Sequence, residues 1–388
     1  MQPLTGENKL GHGTFLDVLG LHPRRIGGVE VRIKELTRRL AERGWRSVIC
    51  VSDEPSPEVR RFLDSPFLQW EVIPNFYNND LSMLPTLARL LVRHRPQWMM
   101  IEFLPCLSAY PWLARILGVE KIFFTDHCSR SMVEETRASG IKRMLGRFAT
   151  SPYNAVVTVS DHNYRALASR GFVSGDRLHR VYNGVDLQRM GTEDGASFRR
   201  RFAIPQDRVL VVQTASLIQE KGTEDLLLGA RLALQQNPNL HFAFVGDGPQ
   251  GALAHFKGIS GELGIDSHVT FTGLINDPAA DGVYASADIC CLLSRWQEAF
   301  GLVIAEAMAS QRPVIGTRVG AIPEIVEDGR TGFLTPPGDH AMLANRILEL
   351  AADPQLRRQM GSLGRDKVER MFTLDMNVRA LIQLFESS

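Results

Sequence analysis

RVLVVQTASLIQEKGTEDLLLGARLALQQNPNLHFAFVG, residues 208–246, is the stretch whose reading decides the fold. It opens on a continuous apolar run, passes through a loop holding Lys221 and Gly222, and enters a segment whose first turn holds Thr223, Glu224 and Asp225 and whose apolar residues recur at helical spacing. A second apolar run, HFAFVG, follows. Strand, helix and strand in that order predict a parallel pair joined by a right-handed crossover. Strands that are apolar throughout, rather than alternating, fit a sheet covered on both faces.

The same alternation continues in both directions. Downstream, HVTFTG, ADICCLL, PVIGT and GFL read as strands; upstream, FLDVLG, SVICV, QWEVI, WMMIEF, KIFF and AVVTVS do. Helical stretches such as 28–43 and 80–94 lie between them. Periodicity breaks at VYNGVDLQRMGTEDGASFRRRFAIP, residues 181–205, where Asn-Gly, Gly, Thr and Asp interrupt it. The expected architecture is therefore α/β, with two Rossmann-like domains facing across a cleft: residues 1–185, residues 186–372, and a C-terminal helix in 373–388 that docks back toward the first domain. Open parallel sheets bind ligands beyond the carboxyl ends of their strands, so the cleft is the expected site.

Composition narrows the class. At 388 residues, 44% apolar and 22% charged, the chain is too long for one small core and too apolar for disorder, collagen or a disulfide miniprotein. A net charge of +1 argues against a general nucleic-acid binder. The total hides a split: residues 1–185 hold 25 Lys/Arg against 18 Asp/Glu, net +7, and residues 186–388 hold 19 against 25, net −6. The positive half, densest at Arg38, Arg39, Arg43 and at Lys142, Arg143, Arg147, suits an anionic acceptor or an anionic membrane surface; solvated helix faces are the plainer reading. No apolar run of about 18 residues occurs and the N-terminus is polar, so neither a membrane span nor a secretion signal is expected. The adjacent Cys290 and Cys291 sit in an apolar run and there is no CxxC, which predicts reduced structural thiols and a cytoplasmic setting.

The chemistry concentrates in SRWQEAFGLVIAEAMASQRPVIGTRVGAIPEIVEDGRTGFLTPPGD, residues 294–339. A strand ends at Leu293, a loop carries Glu298, and a helix opens near Gly301, so the free amides of Gly301, Leu302 and Val303 form an anion site suited to phosphate. Glu298 precedes that helix and Glu306 lies on it, an E-x7-E pattern with one carboxylate to either side of the anion. Lys221, in the loop after the strand at 208, is a point charge suited to the same phosphate. A cap or a solvated residue is the plain alternative for each of these taken singly.

Taken together, these motifs resemble the family 4 glycosyltransferases of the GT-B type. The shared pieces are GGVE at 27–30, VVTVS at 156–160, NGVD at 183–186, EKG at 220–222, VGDGP at 245–249, and E-x7-E with PVIGTRVGAIPEIV, in the family's order and spacing. The resemblance implies transfer of a hexose-type sugar from a nucleotide diphosphate donor to an acceptor hydroxyl of a glycan, glycolipid or small molecule, with retention. Gly27 and Gly28 would approach the donor diphosphate and Lys221 would bind it. Gly301, Leu302 and Val303 would grip the distal phosphate, Glu298 the sugar hydroxyls and Glu306 the ribose. The backbone near Leu274 would lie by the base, and His127 near the donor sugar. Lys221, Glu298 and His127 are the catalytic candidates.

The chain departs from the pattern at one position. Ser216 stands where family members carry an arginine in a GRL-type motif; Arg24, Arg25 and Arg295 are candidate substitutes. Loss of a charge-assisted contact at a buried anion removes on the order of 1.5–3 kcal/mol. Two other patterns carry less. Gly246-x-Gly248-x-x-Gly251 has Pro249 in its turn and no acidic residue closing the next strand, and His127 with Asp126 lacks further ligands at metal spacing. No D-x-D motif exists, so neither metal nor resident cofactor is expected. Alternatives from other classes are a nucleotide-sugar 2-epimerase and a non-catalytic sugar-nucleotide-binding subunit. Acceptor contacts are expected from loops 75–84, 103–110 and 127–140, with the aromatic NFYNND at 75–80 either a sugar platform or an ordinary turn.

Overall fold

A computed structural model describes residues 13–74, 81–128, 139–191 and 194–388. NFYNND and residues 129–138 of the 127–140 loop lie outside the described residues.

Two parallel sheets organise the chain. The first contains β1 (Gly13–Leu19), β2 (Trp45–Val51), β3 (Leu68–Val72), β4 (Trp98–Glu102), β5 (Lys121–Asp126), β6 (Ala155–Thr158) and β7 (Leu178–Arg180), in the order β3-β2-β1-β4-β5-β6-β7. The second contains β8 (Val209–Thr214), β9 (Leu240–Val245), β10 (Val269–Gly273), β11 (Ile289–Leu292), β12 (Val314–Thr317) and β13 (Gly332–Thr335), in the order β10-β9-β8-β11-β12-β13. Twelve of these strands are the apolar runs of the sequence. The exception, β7, is three residues long and reads LHR, which has no apolar run to announce it.

Each sheet is buried on both faces, as continuous apolar strands require. In β1, Phe15 and Leu19 face one layer while Leu16 and Val18 face the other. In β8 the split is Leu210 and Val212 against Val211. Cys290 and Cys291 divide in the same way in β11, and both are free thiols.

In both sheets the strand order reverses once, between β1 and β4 and between β8 and β11. At such a switch point the two following loops run to opposite sides, opening a crevice at the carboxyl ends of the strands. The loops leaving β1, β4, β8 and β11 carry the glycine loop, Phe103, Lys221 and Glu298 respectively, so the topology delivers these groups to the two switch points.

The chain crosses back to the first sheet near its C-terminus. Helix Pro354–Met371 packs on the second unit, through Met360 and Val368, and the next helix, Leu374–Ser387, packs on the first. Thr373 bridges Val185 and its side chain caps the last helix by accepting from the Met376 amide. Phe385 lies among Phe15, Trp98 and Phe123, with ring centroids 5.6, 5.9 and 4.5 Å away. Lys121 Nζ donates to the carbonyls of Phe385 and Glu386 at 2.8 and 2.9 Å, placing a cation at the helix C-terminus where the dipole favours one.

Candidate active site

Gly301 has φ +95°, backbone that L side chains rarely adopt, and from it the helix Leu302–Ala309 starts with its first amides free of intrahelical partners. Glu306 lies little more than one turn into that helix, nearer its start than two turns. Facing it is the glycine loop after β1, which opens the helix Gly28–Ala41. Glu30 closes that loop by accepting from the Gly27 amide at 2.9 Å. The two units touch here: the Ile26 amide donates to the Asn276 carbonyl at 2.7 Å. A Cβ on Gly28 would lie 1.8 Å from Leu302 Cδ2. Gly28→Ala should therefore displace the Leu302 side chain from this contact and raise the KM for a substrate bound between the lobes by about tenfold, with Leu302→Ala in the same chain restoring it. Equal KM in all three proteins would rule out the contact as a closure point.

Between the lobes lies a cavity of about 310 Å³ lined by Gly27, Gly28, Leu302, Val303 and Glu306. Five of the expected binding residues, from segments far apart in the chain, thus line one cavity. The cavity adds groups that the motifs did not single out: Arg189, Asp277 and Tyr284. Arg189 Nη2 meets both Asp277 oxygens at 2.6 Å. The Tyr284 hydroxyl donates to Glu306 Oε2 at 2.5 Å. The signal for Arg189 was its place shortly after NGVD. Asp277 and Tyr284 carried none, since a lone Asp after TGLIN and a Tyr before a strand are common loop and core residues. Leu274 is 36% exposed and does not line the cavity; Asp277, Pro278 and Ala279 of the same loop do.

Burial pushes the Glu306 carboxyl above its ordinary value of 4.5, and Tyr284, Arg25 and Arg189 only partly oppose this. If Glu306 accepts from ribose hydroxyls, as the resemblance implies, donor affinity should fall as pH drops through this raised value, because the ionised carboxylate is the stronger acceptor. Glu298 is held below its ordinary value and stays charged over the same range. Donor dissociation constants measured across the acid limb should show the loss in the native chain and not in Glu306→Gln. A limb that survives the substitution would assign it to another group.

Lys221 and Glu298 meet one another beside the switch point of the second sheet, with Nζ 2.5 Å from Oε1. The same oxygen accepts from Trp296 Nε1 at 3.0 Å and from Ser294 Oγ, and Lys221 Nζ lies 5.0 Å from the centre of the Trp296 ring. Burial raises the Glu298 carboxyl, but the Lys221 charge and these donors outweigh it, and the net displacement is downward. Sequence spacing placed the two groups separately around an anion; the fold joins them as an ion pair.

His127, just past β5, belongs to a network the motifs did not reveal. Its Nε2 is 2.5 Å from Glu102 Oε2, and its ring stacks on Phe103 with centroids 4.4 Å apart. Glu102 in turn accepts from Arg32 Nη2 at 2.7 and 2.8 Å, and all three side chains are almost fully buried. Burial raises Glu102, but Arg32 and His127 pull it below its ordinary value. Asp17 beside it is pushed well up, by burial first and the Glu102 charge second. Phe103 holds φ +56° while lining the cavity, the kind of strained backbone that accompanies functional sites. Two acidic residues and an arginine inside apolar strands and a helix were the available signal, since such charges are buried only when paired.

Of the three arginines weighed against Ser216, Arg25 lines the cavity. Arg295 is bound to both oxygens of Asp225, at 2.7 and 2.5 Å, where His340 also binds. Arg24 is exposed.

Comparison with known proteins agrees with this geometry. Residues 26–189 match the model of Glycosyltransferase Family 4, and residues 195–367 that of Glycosyl transferases group 1. N-acetyl-alpha-D-glucosaminyl L-malate synthase of Bacillus anthracis is 26% identical over 89% of this chain and 90% of that protein. D-inositol 3-phosphate glycosyltransferase of Saccharomonospora viridis is 31% identical over 71% of this chain and 67% of its own length. Among solved structures, Anabaena HepE in complex with UDP and glucose superposes with a TM-score of 0.79 over 97% of this chain and 100% of that one, at 20% identity, which speaks to the fold. With both halves matched in sequence and the whole matched in architecture, the chain belongs to the family 4 glycosyltransferases, enzymes of the GT-B fold.

Proposed function

We propose that the chain moves a hexose-type sugar from a nucleotide diphosphate donor to an acceptor hydroxyl, with retention and without a metal. One observation carries the reading: a single cavity takes one wall from the glycine loop of the first unit and the other from the start of the Leu302–Ala309 helix and Glu306 of the second. The donor's ribose would lie at Glu306 and its diphosphate at the Leu302 and Val303 amides, with Lys221 toward the departing phosphate. Arg25 takes the part of the cation missing at Ser216, because it stands in the cavity wall while Arg295 is committed to Asp225.

The reaction breaks the anomeric C–O bond to the diphosphate and forms a bond from the acceptor oxygen on the same face. The acceptor proton passes to the departing phosphate oxygen, so no separate base is required. Fixed positive potential at that phosphate stabilises the charge as it develops. His127, held by Glu102, orients a hydroxyl of the donor sugar. The acceptor is a glycan, glycolipid or small molecule, and the chain works in the cytoplasm, where its free thiols stay reduced. No helix among the described residues is long and apolar enough to cross a membrane.

A thermal-shift panel of uridine and guanosine diphosphates and their sugars tests this. A donor at 100 times its dissociation constant should stabilise the fold by about 2.7 kcal/mol. Sugar should then leave the donor only when acceptor is added, whereas an epimerase would convert donor alone. No stabilisation by any member, with no acceptor-dependent turnover, would remove the proposal.

A further inference from the structure

The helix Gly140–Thr150, GIKRMLGRFAT, is seated with its apolar face outward. Ile141, Met144, Leu145 and Phe148, spaced to share one face, are 70, 65, 59 and 66% exposed. The side turned toward the protein is instead built from small residues, Gly146 and Thr150. A Cβ on Gly146 would lie 2.3 Å from the Phe172 ring, and Thr150 Oγ donates to the Phe172 carbonyl at 2.7 Å, so the helix sits close on that side. The patch does not end with this helix. Phe148 stacks on Trp112, with centroids 4.9 Å apart, which extends it to the helix Tyr110–Ile116, where Ile116 is exposed.

Lys142 and Arg147 lie exposed at the two edges of the apolar stripe, Arg147 also donating to the Gly171 carbonyl at 3.1 Å, while Arg143 is half-buried against Gly171; the helix holds no Asp or Glu. A contiguous apolar surface rimmed by charge marks an interaction site. We infer that this helix is a docking face for an anionic lipid bilayer, its apolar residues entering the headgroup boundary and Lys142 and Arg147 at its edges meeting lipid phosphates. Charge decides the occupant. A two-fold contact between copies of the chain would bring this cation-edged patch, which has no acidic residue on its helix, against the same patch, whereas an anionic leaflet neutralises the cations. An amphipathic helix with aromatic and aliphatic residues on one side and Lys/Arg beside them lies in the interface plane, about 5–10 Å into the headgroup region. The inference rests on the reading of the first unit as the side that meets an anionic acceptor or surface.

Flotation of the full chain with vesicles tests it. The chain should rise with phosphatidylcholine vesicles containing phosphatidylglycerol, far less with phosphatidylcholine alone, and less again at high salt. Lys142→Glu with Arg147→Glu should reduce partition at least about 25-fold, from roughly fivefold per cation. Leu145→Ser with Phe148→Ser should reduce it on the order of tenfold or more. All four positions are exposed, but Arg147 bonds the Gly171 carbonyl and Phe148 stacks on Trp112, so a cooperative thermal transition retained by each variant is what separates lost docking from lost folding. Absence of flotation, equal partition onto neutral vesicles, or variants that float like the native chain would overturn the inference. So would concentration-dependent self-association abolished by the Leu145 and Phe148 changes, which would give the face to a second copy. Donor-induced stabilisation is read in parallel. If it fails while flotation persists, the transferase reading falls and the docking face stands; the reverse result removes the docking face alone.

Discussion

If Lys221 meets the departing phosphate as proposed, Lys221→Ala is expected to lower kcat by two to three powers of ten. Removing one preorganised group that stabilises charge in the transition state costs about 3–4 kcal/mol, and Lys221 is the cation standing at the second switch point. Its partner sharpens the expectation. Glu298 is buried and held below its ordinary carboxylate value by Lys221, so the alanine variant leaves a carboxylate whose main counter-charge is gone. With the cation absent, burial prevails and the Glu298 carboxyl rises, so the variant should also lose its remaining activity at a higher pH than the native enzyme. Single-turnover rates across pH separate this from a fold defect, since donor-induced thermal stabilisation should survive in part through the Leu302 and Val303 amides. Turnover within a few-fold of the native chain would take Lys221 out of the mechanism.

Glu102→Ala has the largest expected effect on stability. The glutamate accepts two hydrogen bonds from Arg32 and meets His127, all three side chains being almost fully buried, and breaking a buried pair by deleting one member costs about 3–5 kcal/mol. At 2–4 °C per kcal/mol for units of this size, the thermal midpoint of the first unit should fall on the order of 10 °C. The pH dependence has a fixed sign. The lowered Glu102 carboxyl contributes stability that is present above its unfolded value and lost as pH falls toward its folded one. The variant should therefore lose less than the native chain on acidification. Glu102→Gln keeps the shape and one hydrogen bond, so its midpoint should lie between the two. A midpoint within a degree of native for Glu102→Ala would mean that Arg32 and His127 find other partners.

The legibility of this protein divides by range. β9 was readable because FAFV within HFAFVG is apolar over four consecutive positions with turn residues close on either side, while β7 was not, because LHR has no pattern to read. The helix start at Gly301 was readable because loop, glycine and helix are contiguous. Which residues of the TGLIN loop line the cavity was not readable: Leu274 does not, while Asp277, Pro278 and Ala279 do. In the helix Gly140–Thr150 apolar spacing is the same whether the stripe faces the core or solvent. Only Gly146 against Phe172 reveals which side is buried.

What the chain determined by itself is its alternation of strands and helices, its two sheets, the glycines where backbones turn or approach, and the segments that hold the site. These follow from backbone preference and apolar period, which act between residues a few positions apart. The tertiary structure alone decided which charge answers which. Lys221 and Glu298 are 77 residues apart, and Arg32 and Glu102 are 70 apart. A carboxylate's partner is whatever cation the reversal of strand order brings to the same crevice. That is a property of how β8 and β11, or β1 and β4, lie side by side, and no local pattern encodes it.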